Sequence, residues 1–371
     1  MDRNIRRDPL GWLDDAARDG RGIRWVSRRE LCIYDAEIAR ALLRNDDGRM
    51  EEHSDFFGNG ARAPSREVQV ALSRQAYALV HDHVQKLDCR RFVSKLGERS
   101  EWPSAGNALL LDIMRPVLAA PWRSPAFREA VDAMVRARIL SRHQPAAGVI
   151  RRVRDRFRFY RAVVGEPARS SGNPANERDL LEAVARHRHE MDEEAFVQIY
   201  AGFVFALVGS IGFALGWAVL QAVRRQKTDR HPTHIVLEAL RLYPIAWLFQ
   251  RRLRQADDIL GERVLPTQTI SISPYAIHRN PNYWQEPTLF LPERWAETAD
   301  RGAWMPFGAG NHGCIAAGLS VGLASRLLSE ILGRDPEVES GDGKPLVGAA
   351  LAPPRFILKL RTSGLQPPAT R

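Results

Sequence analysis

The sequence predicts a mainly α protein with a small β-sheet region, organised as a single domain over residues 1–371. Three observations predict it. Apolar residues recur at spacings of three and four through most of the chain, the signature of amphipathic helices. One apolar run, 195–223, is far longer than any strand. Short extended patterns occur only around 23–34, between the motifs that follow residue 249, and at 355–360. No stretch between them has the character of an interdomain linker, and the loosest, GEPARSSGNPANE at 165–177, reads as a polar surface loop.

Taken in order, Pro9 to Arg18 form a short helix, 23–26 and 31–34 an extended hairpin, and Ala36 to Arg44 a second helix. Residues 45–63 are polar and glycine-containing and carry Phe56 and Phe57, a length that points to a functional loop. Helical patterning covers 66–96, 105–165 and 178–190. Within it, IRRVRDRFRFYRAVV at 150–164 sets Ile150, Val153, Phe157, Tyr160 and Val164 at helical spacing among arginines, as on the solvated face of a packed helix. The formal net charge of +10 admits an acidic partner. Nucleic acid is excluded as a partner, since neither base-stacking aromatics nor a binding module accompanies the charge.

The run 195–223 is long enough to span a bilayer on hydropathy alone. It is solitary and mid-chain, so it is read instead as a helix buried through the centre of a large domain. Gly202, Ala206, Gly209, Gly212 and Gly216 form a stripe of small residues along it. Each interior glycine costs roughly 1 kcal/mol relative to alanine. A stripe of them implies a flat group or a second helix passing close by.

Chemistry concentrates in MPFGAGNHGC at 305–314, which runs directly into an apolar helical segment. Its glycines permit sharp turns, and a helix N-terminus with free amides favours a charged sulfur at Cys314. One thiolate without a second cysteine nearby does not make a zinc site, whereas it suits the axial position of a heme. Cys32, Cys89 and Cys314 are too few and scattered for a disulfide framework. The N-terminus, MDRNIRRDPLGW, has no apolar run after its charges, so a cytoplasmic protein without membrane association is expected.

Phe307-Gly308-x-Gly310-x-His312-x-Cys314 resembles the cysteine-ligand loop of the cytochromes P-450, the heme-thiolate monooxygenases. Glu238-Ala239-Leu240-Arg241 resembles the family's Glu-x-x-Arg helix, and Pro292-Glu293-Arg294-Trp295 the segment whose arginine locks that pair. Between them, 252–261 and Ser273-Pro274-Tyr275-Ala276-Ile277-His278-Arg279-Asn280-Pro281 resemble the intervening strands and helix. The match is dense from about residue 195 onward and thin before it.

The resemblance implies a heme domain without a fused reductase. Heme b would lie between the long central helix and the cysteine loop, with Cys314 as axial iron ligand. Ferredoxin and ferredoxin reductase would supply electrons. Phe307, Gly308 and Gly310 would belong to the cofactor site, Arg252 and His312 would reach the propionates, and Arg74 is the candidate contact from the N-terminal half. Ala206, Leu207, Val208, Ile211, Leu248 and Phe249 would line the substrate pocket, with the 346–354 turn approaching it. Glu238, Arg241 and Arg294 would hold the cysteine loop. Ala316 and Ser320 depart from the family's usual residues after the ligand.

One departure bears on chemistry. Alignment of the central helix places Gly209 where an acid usually stands and Ser210 where a threonine usually stands. That acid–alcohol pair delivers protons to bound dioxygen in the usual enzymes. Ser210 can still donate a hydrogen bond; Gly209 cannot relay a proton by side chain. The leading expectation is oxidative tailoring of an apolar or aromatic small molecule in bacterial secondary metabolism. The second is a heme-thiolate enzyme whose substrate brings its own oxidising equivalent as a peroxide or activated N–O bond, for cyclisation, rearrangement or nitrene-type transfer. The third is a non-catalytic heme-binding partner protein.

Overall fold

The computed structural model describes residues 7–51, 54, 56–57, 63–140, 149–166, 178–225, 231–297, 302–341 and 343–361. The 165–177 loop from residue 167 on, the 45–63 loop over 52, 53, 55 and 58–62, and the first six residues lie outside that set. Polar caps start several helices of the N-terminal half. Asp8 accepts from the Gly11 amide at the head of α1 (Pro9–Asp19), and Asp35 from Ile38 at α2 (Ala36–Arg44). Between them, β1 (Ile23–Ser27) and β2 (Glu30–Ile33) pair antiparallel.

The helical pattern at 66–96 is two helices, α3 (Arg66–Gln85) and α4 (Cys89–Val93), because Asp88 caps a new start by accepting from Arg91. After β3 (Arg99–Trp102) come α5 (Ser104–Leu118), α6 (Pro125–Arg138), α7 (Val149–Gly165) and α8 (Leu180–Arg186). In α7 the apolar stripe read from the sequence is split, with Tyr160 and Val164 packed against the core. Val153 and Phe157 are exposed, while Phe159 and Val163 are buried. The packing partner sets that face: Phe159 stacks on Tyr200 of the next helix at 6.2 Å between ring centroids.

That next helix, α9, runs from Glu193 to Arg224. Among the described residues it is the one helix long and apolar enough to cross a membrane, yet its most apolar window is 83% buried inside the protein. It is the central helix. Phe205–Ser210 within it form a π turn.

Helix α10 (Pro232–Leu242) packs beside α9 and is followed by β4 (Phe249–Arg251), β5 (Asp257–Ile259), β6 (Glu262–Val264) and β7 (Thr269–Ile272). Strands β1-β2-β7-β4 form the largest sheet, in which β2 and β7 are parallel and Phe249 lies opposite Ile272. A short α11 (Pro274–Ile277) and α12 (Ala317–Leu332) complete the helices. β8 (Pro336–Ser340), β9 (Leu346–Val347), β10 (Leu351–Ala352) and β11 (Phe356–Leu360) close the described chain, with β11 between β3 and β8. Both α9 and α10 pack on α12, so the cysteine loop is held against the centre of the molecule.

Candidate active site

A cavity of about 620 Å³ separates α9 from the cysteine loop. Ala206, Leu207, Ser210, Ile211 and Ala214 line it from α9, and Phe307, His312, Cys314, Ala316 and Ser320 from the loop and α12. Arg66, Arg74 and Tyr77 contribute from α3, and Phe56, Phe57, Phe203, Ile245 and Phe249 extend the apolar wall.

The loop reaches that wall through two left-handed residues, Gly308 at φ +73° and Gly310 at φ +69°. A Cβ on Gly310 would sit 2.5 Å from the Cα of Arg44, so only glycine lets the loop lie on α2. The Cys314 amide donates to the Phe307 carbonyl at 2.9 Å, closing the turn. Cys314 itself is exposed, because its side chain opens onto the cavity. The surrounding protein nonetheless desolvates it: burial pushes the thiol above its ordinary pKa, opposed by a hydrogen bond from the Ala316 backbone.

A buried polar network supports the loop from behind. Glu238 and Arg241 are both fully buried and form a two-pronged pair, Nε to Oε2 at 2.9 Å and Nη2 to Oε1 at 2.8 Å. Arg241 also donates to the carbonyls of His278, Pro287 and Leu289. Arg294 and Trp295 donate to the Glu238 carboxylate, completing the expected triad and adding an indole to it. His278 then links the network to the loop. Its Nδ1 donates to the Arg241 carbonyl at 2.9 Å, and its Nε2 accepts from the Met305 amide at 2.9 Å.

His278 is fully buried, and burial, reinforced by the Arg241 charge, lowers its pKa to about 3. That value lies below the ordinary one of 6.5, so between those pH values the unfolded chain binds a proton that the folded chain refuses. The resulting stability is full above pH 6.5 and is lost as pH falls through the window, by roughly 1.4 kcal/mol per pH unit. Urea unfolding at pH 7 and pH 5 should therefore show a steeper acid loss in the wild type than in His278→Gln. Equal slopes would refute the assignment.

The structure brings together many of the residues singled out in the sequence and separates others. Ser210, Ala206, Leu207, Ile211, Phe249, Phe307, His312, Cys314 and Arg74 all line the cavity. Val208 and Leu248 do not, nor does any residue of the 346–354 turn; that turn instead binds Trp217 and Trp247 through the Leu351 and Gly348 carbonyls. Gly308 and Gly310 shape the loop without facing the cavity.

Arg252 is exposed, whereas its neighbour Arg251 is buried on the strand face it shares with Phe249. The pleat of the strand sets the two apart in burial, and neither lines the cavity. The small-residue stripe of α9 divides: a Cβ on Gly212 would meet Asn107 of α5, one on Gly216 Pro353 and Pro103, and one on Gly202 Phe56, while Ala206 lines the cavity. Gly209 faces the ring of Phe205 and is outside the cavity lining. Sequence reading missed Arg66, which contacts His312 Nδ1 at 3.2 Å and donates to the Asn311 carbonyl at 2.5 Å. Its place as first residue of α3 carried no signal.

The donor set fits a heme. Among the described residues no group of three His, Cys, Asp or Glu could hold a bare metal ion, so Cys314 has no partner ligands of its own. A macrocycle that brings the remaining ligands removes that shortfall. The cavity has the size of a cofactor pocket, an apolar wall, and Arg66, Arg74 and His312 at its margin for anionic substituents. Fold and site together fit a heme-thiolate protein.

Residues 233–332 match the cytochrome P-450 family. Cyclooctatin synthase of Streptomyces melanosporofaciens is 40% identical over 101 residues, 26% of this chain and 22% of that protein. Cyclooctat-9-en-7-ol 5-monooxygenase of the same organism is 38% identical over 105 residues, 27% of this chain and 23% of that protein. The matched region thus spans about a fifth to a quarter of each relative. The fold likeness extends much further. The structure of CYP109E1 from Bacillus megaterium in complex with corticosterone covers 97% of this chain and 100% of its own at a TM-score of 0.71 and 14% identity. That of CYP175A1 from Thermus thermophillus covers 97% of each chain at 0.70 and 20% identity. The family match is thus confined to residues 233–332, while the likeness in fold runs over nearly the whole chain.

Proposed function

We propose that this chain is a single-domain heme-thiolate oxidoreductase that oxidatively tailors an apolar or aromatic small molecule in bacterial secondary metabolism. Hydroxylation, desaturation and oxidative cyclisation are the reactions within its reach. The observation that carries the reading is one cavity faced by both the Cys314 thiol and the Ser210 hydroxyl, with apolar walls between. Bound heme supplies activation of O₂ with two electrons, for which a cytoplasmic ferredoxin and its reductase are the proposed source. Cys314 serves as the thiolate, and Arg66, Arg74 and His312 hold the anionic margin. Phe56, Phe203, Ile245 and Phe249 exclude water and orient an apolar substrate, while Ser210 presents a hydrogen-bond donor toward the reacting face. The two cyclooctatin enzymes among its relatives support a role in secondary metabolism.

A second reading follows from Gly209, which brings no carboxylate and is turned toward Phe205. In it the substrate carries its own oxidant. One experiment separates the two: mass spectrometry of a host metabolite extract treated with the holoprotein, either in air with ferredoxin and reductase or anaerobically without electron donors. A product gaining one oxygen or losing two hydrogens only in the first arm is the expected result. A product in both arms would replace the monooxygenase reading with group transfer or isomerisation.

A further inference from the structure

The π turn of α9 is clamped by a residue from another helix. A π turn inserts one extra residue into the α-helical hydrogen-bond ladder and leaves carbonyls without their ordinary partners. Here Asn107 of α5, fully buried, donates from Nδ2 to the Val208 carbonyl at 2.7 Å and to the Gly209 carbonyl at 3.2 Å. Carbonyls only accept, so the amide orientation is fixed by its partners and Oδ1 must point away from the turn. That oxygen is buried without a hydrogen-bond partner.

Gly212 makes the arrangement possible. A Cβ there would lie 2.2 Å from Asn107 Nδ2 and 3.1 Å from its Cα, so any larger residue would push α5 off the turn. The residue that follows the two clamped carbonyls is Ser210, which lines the cavity. Immediately before it stands Gly209, which has no side chain of its own to offer.

We infer that Asn107 is a positioning residue for the reacting face of the cavity. It fixes the π turn that presents Ser210, and its Oδ1, on the side away from the turn, anchors a buried water that completes the amide's hydrogen bonding. A buried acceptor left unmade costs about 1–3 kcal/mol, so a water is the occupant its chemistry calls for. The link to oxygen chemistry rests on the proposed oxidoreductase function. The clamp and the water do not.

The test uses the heme-loaded full chain with Asn107→Leu, which keeps the volume and removes both polar groups, and Asn107→Asp, which keeps the shape and removes the donor. Amide hydrogen exchange over residues 209–214 should speed up about tenfold or more in both, from loss of a bond worth ~1–3 kcal/mol. Exchange over 217–223 should stay unchanged. Gly212→Ala should give the same local signature by displacing the clamp, and this keeps the test alive if one Asn107 variant fails to fold. A crystal structure of the wild type should show a water about 3 Å from Oδ1. Unchanged exchange in all three variants would overturn the clamp, and a dry Oδ1 would overturn the water.

With a turned-over substrate, Asn107→Leu should lower product formed per electron consumed several-fold and alter the solvent isotope effect, with KM unchanged. An altered KM with unchanged coupling would reduce Asn107 to a packing residue. Failure to find any O₂-dependent product would count against the proposed function while leaving the exchange and water results to decide the clamp.

Discussion

Replacing Cys314 with serine is expected to abolish thiolate ligation while leaving the protein folded. Serine preserves the turn, because the loop is closed by the Cys314 backbone amide and by two left-handed glycines rather than by the sulfur. A hydroxyl does not ionise under these conditions and is a poor iron ligand. Loss of a group that merely supports a metal ligand costs ~10–100-fold in affinity, so loss of the ligand itself should cost at least that. Heme content after gel filtration should fall accordingly, and the carbon-monoxide difference spectrum of the reduced protein should lose its thiolate form. Retention of both, with Cys32 and Cys89 intact and buried, would show that the iron is bound elsewhere.

Arg241→Ala is expected to have the largest effect on stability of any single substitution in the site. It would strip five hydrogen bonds and leave the Glu238 carboxylate fully buried with only Arg294, Trp295 and the Leu291 amide as donors. Breaking one partner of a buried pair costs about 3–5 kcal/mol. Arg241→Lys should recover little, since an ammonium cannot reach both carboxylate oxygens and three carbonyls at once. Urea unfolding gives the loss directly, and a change below about 1 kcal/mol would show that the pair is dispensable. Because His278 joins this network to Met305, the same variant should also lower heme retention although Arg241 does not itself line the cavity.

The Cys314 and Arg241 variants together separate two functions of the C-terminal half. On the proposed reading Cys314 offers the ligand and adds little to the fold, whereas Arg241 supports the fold and does not line the cavity. The Asn107 clamp has a similar supporting place on the opposite wall.

The sequence by itself determined the central buried helix, the cysteine loop, the Glu238–Arg241–Arg294 triad and most of the cavity wall. These depend on local properties. An apolar run of helical length, glycines forced by left-handed backbone, and acid and base one helical turn apart all leave marks within a few residues.

Tertiary structure decided what depends on a partner distant in the chain. The burial of Arg251 beside an exposed Arg252 follows from the pleat of β4 as it pairs with β7, which alternates side chains between the two faces of the sheet. Gly212 of the stripe serves helix packing because α5 crosses α9 there, and Val153 and Phe157 point outward because α7 packs through Phe159 and Val163. Arg66 acquired its place at the cavity margin only when α3 met the cysteine loop, and Asn107 its role only when α5 met a turn 101 residues away. Periodicity gives each helix a face; the surface it packs against decides which face is used.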